Sequence, residues 1–78
     1  MTTETLSITH VRILIDADAR IAFVSVREFD DAYGGWNDDD CTYTSADYHG
    51  ADWLEEARFI ARDLASQWCV RTIVEAHA

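Results

Sequence analysis

The chain has 78 residues, 49% of them apolar, and a formal net charge of −9 from 15 acids against 6 arginines. That length fits one domain spanning residues 1–78 with a core worth only a few kcal/mol, a size at which self-pairing or a partner often adds stability. The charge argues against direct binding to nucleic acid or an anionic membrane and favours a basic protein surface.

In chain order, Ser7 to Ile15 is rich in β-branched residues and predicts a strand. Asp16 to Ala19 is a compact polar turn, and Arg20 to Phe29 predicts a second strand, so the two form a hairpin. Asp30 to Tyr48 is too long for an idle loop in a small domain. Gly34-Gly35 marks a turn within it, and Cys41 to Thr44 predicts a short third strand. Asp52 to Trp68 is an amphipathic helix, with Trp53, Leu54, Ala57, Ile60, Ala61, Leu64 and Trp68 on one face. Asp52 and Glu55 have capping-box spacing. Cys69 to Glu75 predicts a last strand. The order β-β-(β)-α-β implies an α+β fold, a mainly antiparallel sheet with one helix on one face.

Alternation places Val11, Ile13, Ile15, Ala22, Val24, Val26, Val70 and Val74 toward the helix. The outer face then carries Leu14, Ile21, Phe23 and Ile73 beside His10, Arg12, Ser25, Arg27 and Arg71. That face is too apolar for open solvent. Two covers are open: the 30–48 segment, with Tyr33 and Trp36, or a second copy in a homodimer.

No run approaches the roughly 18 apolar residues of a membrane span, and the first fifteen residues lack the basic start and apolar stretch of a secretory signal. The expected location is the cytoplasm, with Cys41 and Cys69 as reduced thiols. Cys41, His49, Cys69 and His77 repeat a Cys-x7-His spacing that structural zinc sites do not use. Asp38-Asp39-Asp40 and Asp16-x-Asp18 lack the glycine and glutamate of a calcium loop. With no phosphate loop, nucleophile elbow or metalloprotease helix, no cofactor, metal or enzymatic activity is expected.

Charge distribution is the more informative feature. Asp30, Asp31, Asp38, Asp39, Asp40, Asp47, Asp52, Glu55 and Glu56 fall in one window without an arginine, while outside it six acids balance six arginines. Trp36 and Phe59 lie in or beside this window, Phe59 between Glu55 and Asp63 at i±4. An exposed aromatic among carboxylates suits a basic partner, and these eleven residues (the nine acids, Trp36 and Phe59) are the candidate binding surface.

In length, lysine-free acidic composition, acid window and sheet-plus-helix order, the chain resembles the small acidic proteins with which phages inhibit host machinery, anti-CRISPR proteins and other DNA mimics among them. The resemblance is to a class and carries no residue over. It implies carboxylates spaced like phosphates, seated in the basic groove of a CRISPR effector or another nucleic-acid-binding complex in the host bacterial cytoplasm. The alternatives are an antitoxin-like accessory protein that neutralises one basic partner, and a dimeric structural subunit.

Overall fold

The computed structural model describes residues 6–30, 32 and 34–78, with only the backbone of residues 6–8. The expectations for Asp31 and Tyr33 lie outside the described residues. The elements are β1 (Leu6–Asp16), β2 (Ile21–Asp30), β3 (Gly35–Ser45), α1 (Ala46–His49), a 3-10 turn (Gly50–Asp52), α2 (Trp53–Gln67) and β4 (Ile73–His77). The strands lie in the order β3-β2-β1-β4, with β1–β2 and β2–β3 antiparallel and β4 parallel to β1. The fold is therefore α+β, a mostly antiparallel four-stranded sheet with its helix on one face.

The first hairpin closes where the sequence indicates. The Asp16 carboxylate accepts a hydrogen bond from the Ala19 N–H at 3.1 Å, and Arg20 takes a left-handed conformation (φ 57°) that returns the chain to pair Ile21 with Asp16. The core is built from Val11, Ile13 and Ile15 of β1, Ala22, Val24 and Val26 of β2, and Ala57, Ala61, Leu64 and Ala65 of α2. Alanines at 57, 61 and 65 let the helix backbone lie close to the sheet. Trp53, Leu54, Ile60, Trp68 and Val70 pack around this core only partly buried, so Trp53 and Ile60 are less enclosed than their periodicity suggests. Four of these ten core residues are alanine, so the area removed from water is modest.

Three departures from the sequence reading have physical causes. The third strand runs eleven residues, Gly35–Ser45, instead of four. Its Asp run does not look like a strand, but β3 is an edge, where charges are tolerated. Asp40 (φ 52°) takes up the extra residue of a bulge opposite Ser25. The described part of this segment thus widens the sheet beside β2 and does not fold over its outer face. Second, Asp52 stands at the helix N-cap position with φ −92° and ψ 12°, and its side chain makes no capping hydrogen bond. The 3-10 turn delivers it in a near-helical conformation, unlike the extended one a capping side chain needs.

Third, the last strand begins at Ile73 and not at Cys69. The chain spends Trp68 to Val70 ending the helix: Cys69 N–H donates to Ser66 C=O at 3.2 Å and Val70 N–H to Ala65 C=O at 2.8 Å. This is a Schellman cap with Cys69 at φ 56°, where glycine is usual. The delay shifts the alternation of β4. Ile73 pairs with Val11 and turns to the helix side, while Val74 pairs with Arg12 and joins the outer face. Ile73 therefore leaves the expected outer group, and Val74 leaves the helix-facing one. Replacing Cys69 with Gly is expected to stabilise the protein by about 0.5–1 kcal/mol, because relief of the left-handed strain exceeds the entropy that glycine adds to the unfolded chain. Thermal denaturation should show a Tm a few degrees higher; a lower Tm would contradict this cap.

Candidate protein-binding surface

The nine acids of the window fall into two groups. In the sheet half, each described carboxylate has a partner within the molecule. Asp30 is buried (8% exposed), and its Oδ1 accepts from the Ala32 N–H at 2.9 Å to shape the turn into β3. Asp38 lies on the outer face opposite Arg27, accepting from the Arg27 guanidinium and the Ser25 hydroxyl, both at 3.1 Å, with Arg12 at 3.7 Å. Asp40 accepts from the Trp68 indole N–H at 2.7 Å and ties the β3 bulge to the end of α2.

Asp39 stands on the helix side opposite Val26 and hydrogen-bonds the carboxyl of Glu28, itself almost covered at 6% exposure. That bond, burial and the charges of Asp39 and Asp30 hold the Glu28 carboxyl above its ordinary value near 4.5. A folded pKa raised this way contributes stability that is present below the unfolded value and lost as pH rises through the folded one. Glu75 works in the opposite sense. Arg58 donates to it from Nε at 2.7 Å and from Nη2 at 3.1 Å, clipping α2 to β4 and holding the Glu75 carboxyl low. Its contribution is present above the unfolded value and lost as pH falls through the folded one. The expected result is a stability maximum on the acid side of neutrality, with Tm higher near pH 5 than at pH 7.5 and falling below about pH 4. Replacing Glu28 with Gln should flatten the rise, and a rise that persists unchanged in this variant would locate its cause elsewhere.

The helix half of the window is different. Asp47 on α1, Asp52 in the 3-10 turn, and Glu55 and Glu56 in the first turn of α2 are all exposed. None of the four has an ion pair with a basic side chain among the described residues. Glu55 lends its field to Arg58, but the Arg58 guanidinium is held by Glu75. Tyr48 (78% exposed) follows Asp47 on α1, and Phe59 (61%) lies one turn beyond Glu55 and Glu56 on α2. Helical spacing puts Glu55, Glu56 and Asp63 on the same side of α2 as Phe59. Glu55 and Glu56 also favour the helix through its dipole, so part of their presence is structural.

Trp36 does not join this group. It lies on the outer face, its ring edge-on to Phe29 at 5.3 Å and to His10 at 5.9 Å, with the Arg27 guanidinium 5.0 Å above it. Burial and the charges of Arg27 and Arg12 hold His10 below its usual pKa. The candidate site thus divides between the two sides of the protein. The pairing of Asp38 with Arg27 follows from the register, since a turn closed by Asp30 and Gly35 sets those two residues opposite each other. Tyr48 lies outside the eleven candidates, although its place between Asp47 and Asp52 is the available signal.

Cys41 and Cys69 are exposed free thiols, and among the described residues no three His, Cys, Asp or Glu side chains converge as metal ligands would. No helix among the described residues is long and apolar enough to cross a membrane. Comparison with known protein families, with curated proteins and with solved structures finds no match.

Proposed function

We propose that this chain is a non-enzymatic binding protein that docks the α1–α2 corner on a basic protein surface, of the kind that otherwise holds nucleic acid, and so inhibits a nucleic-acid-binding machine. The observation that carries this reading is the set of four exposed carboxylates without ion pairs among the described residues, Asp47, Asp52, Glu55 and Glu56, on the consecutive α1, 3-10 turn and α2 that also carry exposed Tyr48 and Phe59. Carboxylates left free of internal cations keep their field for a partner and speed encounter with opposite charge. The aromatics supply contact area that slows release. The class resemblance to anti-CRISPR and other DNA-mimic proteins fits this chemistry, and a CRISPR effector is one such target, met in a host bacterial cytoplasm. The sheet-half acids matter less for binding here than their number suggests, because the protein already uses them.

Capture from a host lysate followed by mass spectrometry tests the reading. The wild-type protein should retain a basic partner that the variant Asp47→Asn, Asp52→Asn, Glu55→Gln, Glu56→Gln does not. Excess double-stranded DNA should release that partner if its groove is a nucleic-acid site. A captured partner that DNA fails to displace supports instead the antitoxin-like alternative, a dedicated basic protein neutralised without mimicry. Equal capture by wild type and variant would reject both.

A further inference from the structure

Among the described residues, nothing packs over the outer face of the sheet. Phe23 and Tyr43 (each 49% exposed) touch across β2 and β3 with ring centroids 6.2 Å apart. Val74 is 39% exposed, and Leu14 and Ile21 are only partly covered. A sheet buried on one side ordinarily alternates apolar with polar residues, and here the solvent side of the central strands carries Leu14, Ile21 and Phe23. We propose that this face is covered by a second copy of the same chain, packed sheet against sheet, with both helices outward.

Charge selects the occupant. Among the described strand residues this face carries Arg12 and Arg27 against Asp16 and Asp38, a formal charge of zero on a chain of −9. Two copies repel through nearly any other pairing of surfaces, and this is the face on which they do not. A basic partner gains nothing there. Edge-to-edge pairing is opposed along β3 by Asp38, Asp39, Asp40 and the bulge, and the other edge, β4, is only five residues long, which favours association through the face.

Area agrees. Four strands of 5–11 residues, at about 3.3 Å rise and 4.8 Å spacing, offer roughly 600 Å² per copy. About 1,200 Å² in total lies at the lower limit of specific interfaces, so the association should be weak and reversible. The alanine-rich core gives a chain of this size reason to gain stability by pairing. The proposal is independent of the binding function above. If both hold, the dimer presents two acidic corners pointing away from each other.

Sedimentation equilibrium of the full chain in reductant, from 1 to 500 µM and at 0.05 and 0.5 M NaCl, tests it. Reductant excludes dimers linked through Cys41 or Cys69. The expected result is a reversible change from 8.9 kDa to twice that mass. Salt should strengthen it, because screening shortens the Debye length from above 10 Å to a few ångströms and removes the repulsion between acidic copies. Binding of a basic partner has the opposite salt dependence, so the two readings fail separately. Phe23→Glu should weaken association at least tenfold while circular dichroism stays unchanged, since the side chain points away from the core. Tyr43→Glu repeats the test if Phe23→Glu disturbs folding. A monomer at 500 µM in 0.5 M NaCl, or a dimer indifferent to both substitutions, would overturn the proposal; the first leaves the face to a different protein and the second places the interface elsewhere.

Discussion

Replacing Leu64 with Ala is expected to leave most of the protein unfolded at room temperature. Leu64 is the one large side chain that α2 buries (8% exposed), and its buried neighbours on the helix are Ala57, Ala61 and Ala65. Truncation removes its contact with the sheet and opens a cavity that short alanines cannot fill, at a cost of about 2–5 kcal/mol. A domain of this size has about 3–5 kcal/mol to lose. Thermal and urea denaturation followed by circular dichroism should show a Tm lowered by well over ten degrees, or no cooperative transition at all. A Tm within a degree or two of wild type would mean that Leu64 is not the residue locking helix to sheet. Cys69→Gly provides a control of opposite sign on the same element, and it should recover only part of the loss. A Leu64→Ala protein examined at high concentration should also regain some helix if the chain pairs with itself, because dimerisation stabilises the folded form by mass action.

The helix and the first hairpin were legible because each rests on a local pattern. Helical period set Trp53, Ala57, Ile60 and Leu64 on one side, and a short polar turn joined two runs of β-branched residues. The third strand was not legible, since Asn37 to Asp40 has poor intrinsic strand propensity. Arg27 opposite Asp38, and Trp36 opposite Phe29, override it, and such cross-strand pairs appear only once the register is known. The last strand slipped for a similar reason. A cysteine in a left-handed helix cap carries no sequence signal of the kind glycine gives, so the strand was begun at the residue that ends the helix. That slip moved Ile73 and Val74 to the wrong faces. For the site, sequence located the charge but not its internal use. Asp38 and Asp40 look as free as Asp47 and Asp52 until Arg27, Arg12 and Trp68 are seen beside the first two.

Because the acids divide in this way, substitutions in the two halves of the window should separate binding from folding. Once a basic partner is identified, the fourfold variant Asp47→Asn, Asp52→Asn, Glu55→Gln, Glu56→Gln should slow association by a factor of about 10 to 1,000 at low salt, the range over which electrostatic steering acts. It should stay folded, losing about 0.3–1 kcal/mol for each of Glu55 and Glu56 as the helix dipole loses its complement. Asp38→Asn is the counterpart. Its carboxylate faces Arg27 and Arg12 on the opposite side of the protein, so this change should leave the association rate near wild type and weaken only a partly exposed ion-pair network, by about 0–1 kcal/mol. Phe59→Ala should act differently again, speeding dissociation with little effect on encounter, as loss of a contact residue does. Stopped-flow association at several salt concentrations distinguishes these outcomes. For wild type the rate should fall steeply as salt rises, and for the fourfold variant the slope should be shallow. If Asp38→Asn slows association and the fourfold variant does not, the partner meets the sheet face, and the α1–α2 corner serves only to keep the protein soluble.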